Sequence, residues 1–174
     1  MASLDEALLN ECKIIVTQGS STISTLVDAA KKGKWTSADT NQLLSLIQPL
    51  VSYLAGYNSV GIIASGGISF GVGVEEVPGV VLNTQDLSAA PYFYNFIGGS
   101  LGFSEGVEAG VGILIAQGTP NTLSGPQVFA DADVTLVGGV GVQYSAGGQW
   151  YIFVSTGEDA NISIGAGGVS VKQL

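Results

Sequence analysis

Aromatic side chains form the densest group in this sequence that is suited to binding chemistry. Residues 91 to 96 read Pro-Tyr-Phe-Tyr-Asn-Phe. Successive side chains of a β-strand point to opposite faces, so Tyr92, Tyr94 and Phe96 should share one face. A tyrosine ring combines an apolar body with a polar tip, which suits a lipid, a sugar or a protein partner. The alternative interpretation is that these rings fill the core of a sheet.

A second aromatic group surrounds a glycine turn. Trp150 and Tyr151 follow Gly147 and Gly148, and Tyr144 precedes them. A tryptophan beside a hairpin tip can enter a membrane interface or stack on a sugar, or it can pack at the end of a barrel. We predict that a ligand-binding surface is lined by six aromatic residues: Tyr92, Tyr94, Phe96, Tyr144, Trp150 and Tyr151.

Carboxylates are the other side chains that could do chemistry. Asp131 and Asp133 are spaced to share one strand face, where two close carboxylates could share a proton or bind Ca²⁺. They alternate with small apolar residues, however, which is typical of a strand with one wet face. Glu105 and Glu108 would fall on opposite faces of a regular strand. We therefore predict no metal site, no cofactor and no assigned catalytic residue.

The composition excludes several classes of function. The chain has no histidine and no arginine, and its five lysines face 14 acidic residues, for a formal charge of −9. Without imidazole there is no Ser–His–Asp triad and no histidine metal ligand. The single cysteine, Cys12, forms neither an internal disulfide nor a cysteine-rich zinc site. Few cations and no arginine also argue against a nucleic-acid partner.

The first residues do not predict a cleavable signal peptide. Acidic side chains, Asp5 and Glu6, occur where a signal peptide carries a basic segment. No uncharged apolar run is long enough to predict a helical membrane span. The expectation is a soluble protein that resides in the cytoplasm or is exported without a cleaved signal.

The chain changes character near residue 58. Only three of its 26 glycines precede that point. Residues 1–57 carry a net charge of −1 and residues 58–174 a net charge of −8. We expect a helical segment over 1–57 that packs on a glycine-rich β-domain over 58–174, and we expect the two to unfold as one cooperative unit.

Helical periodicity dominates the first segment. Apolar residues from Leu4 to Ile15, including Cys12, recur at spacings near 3.6 and predict a helix with a buried cysteine. Gly19 and the three residues that follow should weaken this helix, which should end near Gly33. A second helix is predicted to start around Thr36, with a kink or break at Pro49.

Alternation with a period of two dominates the rest of the chain and predicts roughly seven to nine strands. Residues 145–149 and 156–160 resemble hairpin turns, residues 124–126 resemble a loop, and Glu75-Glu76 resembles a solvated strand end. We predict an α+β fold that is mainly β, with two N-terminal helices followed by an antiparallel glycine-rich β-barrel or compact β-sandwich.

Glycine recurs within the predicted strands, where each one costs about 0.5–1 kcal/mol relative to alanine. Three interpretations of these glycines stay open. They permit tight curvature of a closed barrel, they let a helix or a ligand approach the sheet, or they stack against another chain.

These patterns leave three functional hypotheses. The leading one is a non-enzymatic binding protein that holds an apolar or amphipathic molecule, or a membrane surface, at a barrel mouth or a helix–barrel crevice. The second is an interaction protein: an exported effector, a toxin or a structural component that assembles into a homo-oligomer. The third, least favoured because the usual general base is missing, is a barrel enzyme that uses tyrosine hydroxyls with Asp131 or Glu108.

Overall fold

A computed structural model describes residues 5–64, 72–101, 111–129, 140–144, 148–154 and 165–174. Two helices are followed by an antiparallel sheet that curls into a half-barrel. The predicted class, α+β and mainly β with the helices first, is confirmed.

The first helix, α1, spans Glu6–Lys31 without interruption. It begins at Asp5, whose carboxylate accepts a hydrogen bond from the amide of Ala7 at 3.0 Å. α1 continues through Gly19, where a side chain would lie 2.9 Å from Leu46, so the glycine lets the second helix approach. Among the described residues, no helix combines the length and apolar character needed to cross a bilayer.

The second helix, α2, spans Ser37–Ile47. A capping box formed by Thr36 and Asp39 fixes its start, close to the predicted position. Pro49 lies two residues after its last residue, Ile47, and the chain continues as a 3₁₀ helix over Gln48–Tyr53. The predicted break at Pro49 is therefore confirmed, because proline cannot continue the backbone hydrogen bonding of an α-helix.

The described part of the β-region contains eight strands. In chain order they are β1 Ser59–Ala64, β2 Val72–Asn83, β3 Tyr92–Leu101, β4 Val111–Ala116, β5 Gly125–Phe129, β6 Val140–Tyr144, β7 Gln149–Val154 and β8 Gly165–Gln173.

All neighbouring strands are antiparallel, and their order is β5-β8-β3-β2-β1-β4-β7-β6. β6 and β7 pair with Tyr144 opposite Trp150, as expected for strands joined by the predicted 145–149 hairpin turn. The second predicted turn, 156–160, lies outside the described residues. The strands on its two sides, β7 and β8, are separated in the sheet by four others.

Two local predictions are corrected by the strand bounds. Glu75-Glu76 is not a strand end but lies within β2, where the Glu76 carboxylate pairs with Lys31 of α1 at 3.4 Å. Gly125 and Pro126 are not a loop but open β5. Among the described strands β5 pairs only with β8, and proline is tolerated there because an edge strand need not donate from every amide.

One side of the sheet, here called the helix face, is covered by the helices. α1 packs on β1, β2, β4 and β7. Its buried residues, among them Leu26 and Val27, join an apolar core with α2 and the strands. The strand residues that form the helix face are Val60, Ile62, Val80, Leu82, Ile113, Ile115, Trp150 and Ile152.

The opposite side, here called the inner face, is buried by the curl of the sheet itself. Tyr94 of β3 hydrogen-bonds to Gln149 of β7, although three strands separate β3 from β7 in the sheet. Four strand spacings of about 4.8 Å would hold them about 19 Å apart in a flat sheet. The strand residues of this inner cluster are Ile63, Val77, Val81, Tyr94, Phe96, Leu114, Ala116, Tyr151 and Val169.

Glycines on the inner face make room for this curl. Ile63 of β1 lies between Gly79 of β2 and Gly112 of β4 in the strand register. A Cβ added to Gly79 would lie 2.8 Å from the Ile63 side chain and 2.5 Å from a carbonyl oxygen of β1. One branched side chain therefore fills the space of three neighbouring positions, which supports the interpretation that the glycines permit curvature.

Candidate functional site

Four of the six predicted aromatic residues lie on the inner face. Tyr92, Tyr94 and Phe96 of β3 share it, as their alternate spacing predicts, and Tyr151 of β7 meets them across the curl. Tyr94, Phe96 and Tyr151 are buried, whereas Tyr92 is half-buried near the end of the strand. The structure therefore joins residues that are more than 50 positions apart in sequence.

The other two predicted residues are placed differently. Trp150 is buried on the helix face, because the pleat turns it away from its neighbour Tyr151. It belongs to the same apolar core as the buried side chains of α1, Cys12 among them. Tyr144 lies in β6 with its backbone paired to that of Trp150, and the structure describes only its place in the sheet.

A hydrogen-bonded group of three uncharged side chains lies within the apolar inner face. The Tyr94 hydroxyl donates to Oε1 of Gln149 at 2.7 Å. Because its single proton is used in this bond, the Tyr94 oxygen accepts from the Tyr151 hydroxyl, with which it is also in contact. The two rings meet edge to face, with centroids 6.3 Å apart. We call Tyr94, Gln149 and Tyr151 the polar triad.

Burial determines the chemistry of the triad. Tyr94 is completely buried, and loss of water around it raises the pKa of its hydroxyl well above the usual 10.0, while the bond from Tyr151 offsets part of that shift. The hydroxyl therefore stays protonated and acts as a hydrogen-bonding group, not as a base. An unpaired buried polar group costs about 1–3 kcal/mol, so this environment strongly favours keeping all three partners.

The connection from β4 to β5 crosses the sheet at the triad. β4 and β5 are separated in the sheet by β1, β2, β3 and β8, which is about 24 Å in a flat sheet. Residues 117–124 make this crossing, with a short 3₁₀ turn at Pro120–Thr122. We call residues 117–124 the strap. It runs over the end of the half-barrel where β4 ends and β7 begins.

Contacts along the strap hold it against this end. Ser59 of β1 donates to the carbonyl of Gly118 at 2.6 Å. Leu123 is buried within the inner cluster, and its carbonyl accepts from the Gln149 amide at 3.4 Å. Within the strap, the Thr122 hydroxyl donates to the carbonyl of Thr119 at 2.7 Å. The strap is thus a compact loop that inserts one apolar side chain beside the triad.

Among the described residues the buried polar side chains are Ser59 and Gln149, and no charged side chain is buried. The predicted carboxylates Asp131, Asp133, Glu105 and Glu108 lie outside the described residues. Among the residues that are described, no three acidic, cysteine or histidine side chains group as metal ligands would. The site as described is therefore suited to hydrogen bonding and apolar contact.

Cys12 belongs to the helix face and not to this site. It is completely buried on α1, as predicted from its position on the apolar stripe. Burial, and to a lesser degree the charge of Glu11, raises the pKa of its thiol to about 12. A thiol with that pKa is protonated at neutral pH and behaves as a small apolar side chain.

Sequence analysis missed Gln149 and Leu123. The sequence pattern places Gln149 at the end of a hairpin turn, yet it lies two residues before Tyr151 on the same strand and so shares its face. That spacing was a usable signal. Leu123 carried no signal, because only the path of the strap across the sheet brings it to the triad.

Comparison of the chain with protein-family models, with curated proteins and with solved structures finds no match. The proposals below therefore rest on the geometry of the chain itself.

Proposed function

We propose that this protein is a non-enzymatic binding protein for a small amphipathic molecule whose polar end is uncharged. The molecule binds at the end of the half-barrel that the strap covers. Its apolar body lies along the inner face, and its head exchanges hydrogen bonds with the polar triad. The single observation that carries this proposal is an uncharged hydrogen-bonding group, Tyr94–Gln149–Tyr151, inside an otherwise apolar described cluster.

The chemistry of the triad supports an uncharged head. Its hydroxyls and amide both donate and accept, which suits an alcohol, an ester or an amide. A carboxylate or an ammonium group buried there would lack a charged partner among the described residues of the cluster, and burying an unpaired charge is costly. Small-molecule sites commonly combine an apolar lining with a few polar groups that orient the ligand.

The aromatic residues support an apolar body. Phe96 and Tyr151 are buried on the inner face, and the half-buried Tyr92 lies nearer the end of its strand. Burying a chain of methylene groups contributes about 0.8 kcal/mol for each group. A chain of ten carbons is therefore a suitable first probe.

The test is calorimetric titration of the purified protein with 1-decanol, decanoate and decyltrimethylammonium at pH 8. These probes share a chain length and differ in head-group charge. Saturable one-to-one binding of 1-decanol, at least 10-fold tighter than either charged probe, is expected. Organic extraction of the purified protein followed by mass analysis shows whether a natural molecule is already bound.

Matched variants locate the binding. Tyr94→Phe removes a hydroxyl of the triad and should weaken 1-decanol binding about 10-fold, the usual scale of one buried hydrogen bond. Tyr53→Phe removes a hydroxyl from an exposed ring of the 3₁₀ helix, outside the inner cluster, and should leave binding unchanged. The proposal would be overturned if the two variants had equal effects. It would also be overturned if protein that carries no extractable small molecule showed no saturable binding of 1-decanol.

A second candidate function is self-association, which a separate observation favours. Ile97 of β3 lies on the helix-covered side of the sheet but is 51 % exposed. Its neighbour across the register, Gly168 of β8, has open space where a side chain would lie. Native mass spectrometry distinguishes the candidates: a defined oligomer that dissociates in Ile97→Ser, with no co-purified small molecule, favours self-association.

A further inference from the structure

Leu123 lies beside the polar triad, at the end of the half-barrel where the proposed ligand would bind. Its side chain is buried in the inner cluster, and its carbonyl accepts a hydrogen bond from the triad residue Gln149. An apolar chain joined to an uncharged acceptor is the chemistry proposed for the ligand. The strap therefore satisfies the site from within the chain.

We propose that the strap is a displaceable plug, and that ligand binding and the seating of Leu123 are mutually exclusive. This inference rests on the proposed function. It adds that access to the inner face runs through the strap end and that Leu123 competes with the ligand for the triad.

The anchors of the strap differ in strength as such a plug requires. The bond from Ser59 to the Gly118 carbonyl is short, at 2.6 Å, and fixes the start of the strap to β1. The bond from Gln149 to the Leu123 carbonyl is long, at 3.4 Å, and so is a weak hydrogen bond. The segment that must move is therefore fixed at its base by a short hydrogen bond, whereas its tip is held by a long one and by the burial of the Leu123 side chain.

A glycine joins the moving segment to the sheet. Gly125, the first residue of β5, has φ of 122°, a backbone conformation that side chains disfavour. A Cβ at this position would have open space around it, and the backbone of Gly125 is paired with that of Val169 of β8, which fixes the sheet side of the joint. Residues 119–124 can thus move between a fixed base at Gly118 and a pivot at Gly125.

A reversible cross-link within the strap tests the plug directly. The Cβ position of Gly118 lies 3.6 Å from the Cβ of Thr122, within the range that a disulfide spans. In the double variant Gly118→Cys with Thr122→Cys, oxidation ties the 3₁₀ turn to its anchored base and prevents Leu123 from withdrawing. The buried Cys12 is removed in this background as Cys12→Ala, and circular dichroism verifies the fold.

The readout is 1-decanol affinity of the same protein in oxidised and reduced form. At least 10-fold weaker binding on oxidation, reversed by reductant, is expected. Equal binding in the two forms overturns the plug while leaving the proposed function intact. Absence of binding in the reduced form and in the unmodified chain overturns the proposed function itself.

Truncation of Leu123 distinguishes a side chain that competes with the ligand from one that lines the ligand site. If Leu123 competes with the ligand, Leu123→Ala tightens 1-decanol binding by about 10-fold, since less buried area must be given up. If Leu123 instead lines the bound ligand, the same variant weakens binding. Leu114→Ala, in the same cluster but on β4, is the matched control for added free volume. Weaker binding in Leu123→Ala, or equal tightening in both variants, overturns the proposal.

Discussion

The two faces of one curled sheet are buried in different ways. The helix face is covered by side chains that α1 and α2 bring to it, and the strand residues of that core are apolar or aromatic. Among the described residues, the inner face is covered by other strands and by Leu123 of the strap, and it alternates branched residues with glycines such as Gly79 and Gly112. It also holds the polar triad.

This difference shows what curvature does to a sheet's two sides. On the outside of a curl the side chains spread apart, so large residues fit at every second position and a helix can pack between them. On the inside they converge, so one isoleucine, Ile63, fills the space over two glycines. The packing of the inner face is thus limited by the available space and stabilised in part by hydrogen bonds, whereas the packing of the helix face is stabilised by buried apolar area.

The largest expected loss of stability comes from a substitution on the helix face. Leu26→Ala removes a side chain that is 1 % exposed on α1 and should lower the free energy of unfolding by about 2–5 kcal/mol. Ile14→Ala on the same helix removes one that is 46 % exposed and should change it by less than about 0.5 kcal/mol. Urea denaturation followed by fluorescence measures both, and a single shared transition is expected. A large cost for Ile14→Ala would mean that the exposed side of α1 is covered by another chain.

The next effect tests the crowding of the inner face. Gly112→Ala places a Cβ 2.5 Å from a carbonyl oxygen of β7 and should lower the free energy of unfolding by about 1–3 kcal/mol. Gly168→Ala on β8 adds the same methyl group where nothing lies within 4 Å and should be nearly neutral. The same denaturation experiment compares them. Equal costs would show that strand glycines are required for a reason other than space.

The smallest effect concerns the triad and appears only at alkaline pH. Unfolded tyrosine ionises near its usual pKa of 10.0, whereas burial holds the pKa of Tyr94 higher in the folded chain. Above about pH 10 the unfolded state therefore loses a proton that the folded state keeps, and stability falls by up to about 1.4 kcal/mol per pH unit. Below that pH the contribution of Tyr94 is constant.

The matched variant for this measurement is Tyr94→Phe. The difference in unfolding free energy between the unmodified chain and Tyr94→Phe should be constant from pH 7 to 9 and shrink above pH 10. Cys12, whose pKa rises from 9.0 to about 12, contributes a fall of the same sign in both proteins and cancels in the difference. A difference that does not depend on pH would contradict the burial of Tyr94.

Periodicity in the sequence was sufficient for local structure. The spacing of Tyr92, Tyr94 and Phe96 placed them on one face, and the apolar stripe placed Cys12 in the core. Both predictions use only neighbours within a few residues. Glu76 was misassigned because its partner, Lys31, lies on another element and no local pattern distinguishes a carboxylate within a strand from one at its end.

The arrangement of the site was beyond such patterns. The triad joins Tyr94 to Gln149 and Tyr151, which lie 55 and 57 positions further along the chain. Only the strand order and the curl of the sheet bring the three together. The alternation of side chains along a strand predicts that Trp150 and Tyr151 point to opposite faces, but their adjacency in sequence favoured placing both in one site. The strap carried no signal because its path depends on where β5 pairs.

The strand order has a consequence for biosynthesis. β1, β2 and β3 are consecutive in both chain and sheet, so they can assemble as soon as the ribosome releases them. β5 pairs with β8, and β8 is the last of the described strands to be translated. Until β8 inserts between β3 and β5, the backbones of both strands expose unpaired hydrogen-bonding groups. A nascent chain halted before β8 would therefore present two aggregation-prone strand edges to chaperones and to neighbouring chains.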